Sequence, residues 1–324
     1  MRMELLWTIL LLFTLSTSSC EAQGQPEEFI NVLAGRDQQG PIFMGGKAID
    51  ENRATYYFDK LIYGDEKDFK VVDSNNEIIR VHPYEEGVTL TFKNKLPPGK
   101  RIDIVGRVRD SSGNTLSFRS GVWGYNPHVP HLLINEFTTK GSGNNPDRIE
   151  LLALTEGDLA GVALFDGVNS DWESEVIFPP YQVKAGDYIV VQYGQELSGK
   201  HPIEFYGGEV GLGSYNGVIT LYNAPNGELI DAVIYSNRTS ESDANYGGFG
   251  TSKVFKRVEA LSKSEQWLPH PITPEGAVDS TYSTATRSFC RNNALDTNTK
   301  GDWYICNTGK ASFGEANSQE VYTP

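Results

Sequence analysis

LINEFTTKGSGNNPDRIELLAL, residues 133–154, has an apolar start, a polar Gly/Asn-rich middle and an apolar end. Its two apolar runs, LINEF and DRIELLAL, read as strands joined by a polar turn. Alternation puts Ile134 and Glu136 on one face of the first strand, with Asn135 and Phe137 on the other. In the second strand Ile149 and Leu151 share a face and Glu150 lies opposite. Each strand thus carries one acid, which raises three roles for the pair: catalysis, metal ligation or scaffold. Two carboxylates can act as acid and base on a glycosidic bond, but only across a cleft of suitable width. Nothing else in the chain argues for such a cleft, so a structural role is expected for Glu136 and Glu150.

Strand signals continue on both sides. Downstream come DLAGVALFDG, FPPYQVKAGDYIVVQY and GLGSYNGVITLYNAPNGELIDAVIY; upstream come ATYYFDKLIY, DFKVVD, EGVTLTF and RIDIVGRVRD. The upstream bursts are separated by GDEK, NNE, KNKLPPGK and DSSGN, all good turn formers. Such spacing predicts antiparallel sandwiches. The expected fold class is all-β, with two Ig-like antiparallel β-sandwiches in tandem and a short helix inserted in the second. GYNPHVPH, residues 124–131, is the expected linker, stiffened by two prolines. His128 and His131 within it have no acid or Cys companion nearby, so exposed imidazoles are expected and no metal.

The bulk properties fit this reading. The chain has 324 residues, 39% hydrophobic and 22% charged, with 33 Gly and 16 Pro to supply turns. A net charge of -14 without a Lys/Arg run disfavours nucleic acid as a partner. The acidity reads as a solvated surface.

Residues 1–20, MRMELLWTILLLFTLSTSSC, have Arg2 in a short head and an apolar run too short for a stable membrane span. Small residues followed by Cys20 resemble the lipobox of bacterial lipoproteins; Ser18 and Ser19 fit, while Thr17 stands where Leu is usual. The resemblance implies lipidation of Cys20, a polar tether over residues 21–28, and export to a bacterial outer membrane or cell surface. Two or three acyl chains would suffice for anchoring.

Residues 29–125 resemble the bacterial Ig-like family in YYFDKLI, the TLTF…LPPG segment and the VRDSSGN turn, where Asp110, Gly113 and Asn114 match. Residues 130–317 resemble the lamin-tail domain. The matching residues are Ile134, Asn135 and Glu136; Ile149, Glu150 and Leu151; Leu159, Gly161 and Leu164; Ala185, Gly186 and Asp187; and Asn226, Gly227, Asp231 and Tyr235. TRSFCR, DTNTKGDWY and SFGEAN match its bacterial closing pattern, whereas Ala153 departs from the usual Asn. That family implies a sandwich in which the "NE" and "IEL" acids belong to the scaffold.

The stretch 236–286 exceeds an ordinary sandwich loop. SNRTSESDANYGGFG predicts a surface loop, and TSKVFKRVEALSKSEQWL a short helix with Val254, Val258 and Leu261 on one face and Thr251 or Ser252 as cap. Cys290 and Cys306 are the other cysteines. An export route would favour a disulfide between them, closing a 16-residue loop and contributing ~3 kcal/mol. DTNTKGD, residues 296–302, resembles a calcium loop only superficially, because Lys300 occupies a ligand position and Asn307 stands where a bidentate Glu is needed. An Asx-rich turn is expected there.

No phosphate loop, H-E-x-x-H, G-x-S-x-G or zinc spacing occurs. The expected function is therefore non-enzymatic, with no cofactor and no metal: a lipid-anchored envelope protein presenting two sandwich modules to a surface protein or glycan. A glycan-binding alternative places an aromatic platform at Trp123, Trp172 or Trp267. A hydrolase using Glu136, Glu150 or Asp187 is the third reading.

Overall fold

The computed structural model describes residues 39–324 apart from 73–74, 86, 196, 198 and 239–245. The expected export signal, Cys20 and the tether lie outside the described residues, as does much of the loop at 236–250. No helix of the described residues is long and apolar enough to cross a membrane.

The architecture is all-β, in two modules with separate cores. The first contains β1 (Phe43–Asp50), β2 (Arg53–Phe58), β3 (Phe69–Val72), β4 (Ile78–Tyr84), β5 (Gly87–Phe92), β6 (Arg101–Arg109) and β7 (Thr115–Trp123). One sheet has the order β1-β2-β5-β4 and the other β3-β6-β7. The period of two is plain in β6, where Ile102, Ile104 and Val108 are buried between more exposed neighbours. They meet Tyr56, Leu90 and Phe92 from the facing sheet. The turn after β6 forms as its residues dictate: Asp110 accepts from the N–H groups of Ser112 and Asn114, both at 2.9 Å. The sequence reading missed β1, β4 and β7. β1 contains two glycines and β4 contains Pro83, and both are edge strands, where such residues are tolerated.

The second module contains β8 (Leu132–Thr138), β9 (Arg148–Ala153), β10 (Gly157–Asp158), β11 (Ala163–Val168), β12 (Asp171–Ile177), β13 (Gln182–Val183), β14 (Tyr188–Tyr193), β15 (Glu204–Gly208), β16 (Gly217–Tyr222), β17 (Leu229–Ser236), β18 (Val278–Asp279), β19 (Phe289–Arg291) and β20 (Trp303–Ile305). The sheet β12-β11-β16-β17-β18 faces the sheet β15-β14-β9-β8-β19-β20. β8 is buried along its whole length. One face of β8 meets the facing sheet, and the segment around Ser312–Asn317 covers the other.

The insertion carries one α-helix among the described residues, α1 (Ser252–Leu261). Thr251 caps it by accepting from the Val254 N–H at 3.2 Å. Val254, Val258 and Leu261 form its buried stripe and join the same cluster as Val218, Ala232 and Ile234. Those three alternate with the inward-facing Ile219 and Val233, so α1 covers the outer face of the five-stranded sheet. Arg257, also buried, pairs with Asp171 at 3.2 Å and ties the helix to β12.

The two modules touch through the linker. Asn126 Nδ2 donates to the carbonyls of Asp158 at 2.7 Å and Ala160 at 3.0 Å. Gly99, at φ +67°, lies so near the second module that a Cβ there would stand 2.6 Å from the Gly161 nitrogen. His128 and His131 are exposed.

Candidate functional site

Glu136 and Glu150 are Cα partners on adjacent central strands, and both are fully buried. The faces differ from simple alternation. The ladder shifts register between Ile134 and Glu136, so Asn135 is the extra residue of a β-bulge. Ile134 and Phe137 both enter the core, while Asn135 and Glu136 both turn outward to the side occupied by Glu150. There the carboxylates hold the returning chain. Glu136 accepts from Ser288 Oγ, from the Ser312 N–H at 2.9 Å and from Ser312 Oγ at 2.8 Å. Glu150 accepts from Asn135 Nδ2 at 2.7 Å and from the Gly314 N–H at 2.5 Å. Gly314 has φ +87°, and a Cβ there would meet His201 Nδ1 at 2.7 Å. Burial raises both carboxyl pKa values, and the neighbouring Glu136 pushes Glu150 further. Acids committed to main-chain and hydroxyl donors under a covering segment are scaffold, not an open catalytic pair. Asp187 is similarly engaged, accepting from the Lys184 N–H at 2.7 Å in a turn.

The expected Cys290–Cys306 disulfide does not form: both residues are free, buried thiols. The ladder gives the reason. Cys290 lies opposite Tyr304, and Cys306 lies beyond the end of β20, where its N–H bonds the Ser288 carbonyl. Ser288 Oγ sits 3.6 Å from one sulfur and 3.1 Å from the other, and the Ser288 N–H donates to Cys306 Sγ at 3.3 Å.

The 296–302 loop is an Asx-type turn. Asp302 accepts from Thr297 N–H at 2.8 Å and Thr297 Oγ1 at 2.6 Å, and Asp296 lies 3.3 Å from Arg291. No group of three or more His, Cys, Asp or Glu side chains among the described residues could hold a metal.

The three candidate tryptophans separate completely. Trp267 is only 1% exposed and donates its Nε1 hydrogen to the Gly276 carbonyl at 3.2 Å, so it is a core residue and no platform. It follows α1 and packs in the cluster beneath it. Trp172 is 41% exposed on β12, its ring 5.3 Å from Phe165. Trp123 ends β7 with its neighbour Val122 in the core, and it lines a cleft of about 300 Å³ between the modules. Tyr125, two residues on, lines the same cleft and is 39% exposed. Lys47 of β1 adds a polar group from the first module, while the Asn126 amide at the cleft wall is spent on the Asp158 and Ala160 carbonyls. Asn223 and Glu228 add two more from the β16–β17 hairpin. That hairpin is fixed by the Glu228 N–H donating to Asn223 Oδ1 at 2.8 Å, with Asn226 at φ 60°. The cleft therefore pairs an aromatic wall with amide, carboxylate and ammonium groups, a combination suited to a small polar ligand with an apolar face.

A family model described as "TP_1001_2nd: protein second domain" matches residues 130–202 and 207–305, just over half of the chain. The chain belongs to this family. The matched region runs from the start of β8 to the end of β20, so it includes the acid pair, α1 and the hairpin wall of the cleft. No curated protein matches the sequence. Among solved structures, the N-terminal part of the bacterial S-layer protein SbsC is 14% identical, with 61% of this chain and 44% of that one covered and a TM-score of 0.27. The S-layer protein rSbsC(31-844) is 10% identical, with 61% and 41% covered and a TM-score of 0.26. The chain thus spans less than half the length of these structures. At such scores no arrangement of residues carries over, and the chemistry of the cleft rests on this chain alone.

Of the cleft residues, sequence reading offered only Trp123 as a binding group. Tyr125 and Asn126 were visible as linker residues next to it. Lys47 lies on a strand without a strand signal, and Asn223 and Glu228 lie a hundred positions away. Only the packing of one module on the other brings them to Trp123.

Proposed function

We propose that the protein is a binding protein of the cell envelope whose ligand is a glycan held in the cleft between its modules. The carrying observation is that Trp123 and Tyr125 line one cleft together with Lys47, Asn223 and Glu228. A sugar presents an apolar C–H face and a rim of hydroxyls. The first stacks on indole and phenol, and the second exchanges hydrogen bonds with the Asn223 amide, the Glu228 carboxylate and the Lys47 ammonium. The 300 Å³ volume is at the lower end for small-ligand sites and suits one or two sugar rings. Hydrolysis is disfavoured, because Glu136 and Glu150 are committed to the fold.

The wider reading keeps an Ig-like first module and a lamin-tail-type second module. The strand orders β1-β2-β5-β4 and β3-β6-β7 support the former, since constant-type Ig domains pair their strands ABED and CFG. It also keeps export and a lipid on Cys20. Labelling with a fatty-acid analogue in a bacterial host should mark the wild type and lose its signal in Cys20→Ser; equal labelling of both rules out the anchor.

The binding reading is tested by titrating the protein with cello-, chito- and manno-oligosaccharides while following tryptophan fluorescence. At least one series should bind saturably. Trp123→Ala should weaken it tenfold or more, about 1.4 kcal/mol, while Trp172→Ala leaves it unchanged. Failure of every series to bind, or equal binding by Trp123→Ala, defeats the reading.

A further inference from the structure

Alternation along β6 buries Ile102, Ile104 and Val108 and turns Arg101, Asp103, Val105, Arg107 and Arg109 outward. On β7, Val122 enters the core, which leaves Ser117, Arg119, Gly121 and Trp123 on the same outer face of the sheet. Lys70 of β3 joins them, opposite Val105, which in turn lies opposite Arg119. The face thus holds five basic side chains and a single acid. Asp103 is engaged within it, accepting from Arg101 Nε at 3.0 Å and from Arg119 Nη2 at 2.8 Å. Lys70, Arg107 and Arg109 are exposed. Among the described residues, the ion pairs of this face are those that Asp103 makes with Arg101 and Arg119.

This concentration runs against the charge of the whole chain. The net charge is -14, yet residues 39–125 hold 13 Lys and Arg against 12 Asp and Glu. A shallow depression of about 470 Å³ on the face is lined by Lys70, Arg107, Ser117 and Arg119, with Lys67 and Asp68 at its border. Asp68 is held by its own turn, its Oδ2 accepting from the Asp65 N–H at 2.9 Å. The face is also continuous with the Trp123 cleft. Arg101 lies directly across the ladder from Trp123, and its guanidinium covers Gly121, where a Cβ would collide with Nε. From Trp123 to the level of Ser117 and Arg107 is six residues of strand, about 20 Å. A chain longer than the cleft that leaves it along β7 runs over Arg101, Arg119 and Arg107 in turn. Guanidinium forks match carboxylates two bonds at a time.

We propose that the glycan of the cleft is an acidic one, its chain running from Trp123 over the outer face of β6 and β7 with its anionic groups on Arg101, Arg119 and Arg107. The inference rests on the glycan reading above and adds the charge class and the path of the ligand. Continuity with the cleft favours a glycan over a membrane surface, which is too broad to enter it.

The test titrates the full chain by calorimetry with oligogalacturonate and oligomannuronate. The same oligomers, fully methyl-esterified, keep the rings and remove the charge. At least one acid form should bind saturably and at least tenfold tighter than its ester at low salt, and the difference should shrink at high salt as the charges are screened. Arg107→Glu should weaken the acid form about tenfold, Trp123→Ala should weaken both forms, and Trp172→Ala neither. Lys70→Ser, on the neighbouring strand, should weaken the acid form about threefold and guards against a folding fault in Arg107→Glu. Esters that bind as well as the acids, or wild-type affinity for the acids in Arg107→Glu, overturn the proposal and leave the cleft reading standing. Acid binding indifferent to Trp123→Ala overturns the path from the cleft and the cleft reading with it, and absence of binding by either form overturns both. Equal binding of polyglutamate, or binding of anionic phospholipid vesicles that Arg107→Glu abolishes, overturns the glycan in favour of any polyanion or of a membrane.

Discussion

Arg291→Met will cost the second module roughly 3–5 kcal/mol, a large share of the stability of an ordinary domain. Arg291 on β19 and Asp231 on β17 belong to opposite sheets, are each about 1% exposed in their side chains, and meet at 2.5 Å. The guanidinium also donates to the carbonyls of Ile134 at 2.7 Å and Leu295 at 3.1 Å, and lies 4.7 Å from the centre of the Trp303 ring. It therefore joins both sheets and occupies the main-chain position that the Asn135 bulge frees. Methionine keeps much of the volume but leaves Asp231 buried without its cation, and burial already pushes that carboxyl up to about 6. Urea unfolding should show the loss as a lower midpoint with an unchanged slope. Adding Asp231→Leu should restore a good part of it, because an apolar pair carries no stranded charge. A loss below about 1 kcal/mol in the single variant would show that the ion pair does not hold the sheets together.

The second module will be more stable at pH 5 than at pH 8. Burial raises the carboxyl groups of Glu136, Asp147, Glu150, Asp166 and Asp231 above their ordinary range. A raised carboxyl binds its proton more tightly in the folded chain than in the unfolded one. Its contribution is full below the unfolded value and is lost as pH rises through the folded value. Asp166 carries the clearest case, pushed up to about 7 by burial and by Glu173, with Arg257 and Lys253 opposing. Its Oδ2 has no hydrogen-bond partner. Ser174 is its neighbour across the β11–β12 ladder, and Tyr193 on the facing sheet feels its charge. Asp166→Asn keeps the shape and removes the titration. It should gain about 3 kcal/mol more at pH 8 than at pH 5. Melting curves of the two proteins that stay parallel from pH 5 to pH 8 would refute the assignment.

Local chemistry was enough to read several elements. Val254, Val258 and Leu261 at helical spacing behind Thr251 and Ser252 placed α1 and narrowed its cap to those two, and the apolar period of β6 and the Asp110 turn were equally plain. Glu136 and Glu150 were legible as residues of two paired strands. All of these depend on near neighbours in the chain, through the fixed periods of helix and strand. What the two acids do required the fold, because one extra residue at Asn135 reverses the face of Glu136 and the donors come from Ser312 and Gly314.

The sequence by itself determined an all-β chain with a tandem plan, a capped helix in a long insertion, and the pairing of the strands around residues 133–154. The tertiary structure alone decided which tryptophan is buried, which lines a cleft and which stands on an edge, since indole partitions by the shape of its surroundings. It likewise kept Cys290 and Cys306 as thiols, because the ladder seats Tyr304 opposite Cys290 and the Ser288 hydroxyl beside both sulfurs. The Trp123 cleft also arises only from tertiary contact, since its walls come from segments far apart in sequence, and no periodicity along the chain encodes the approach of one surface to another.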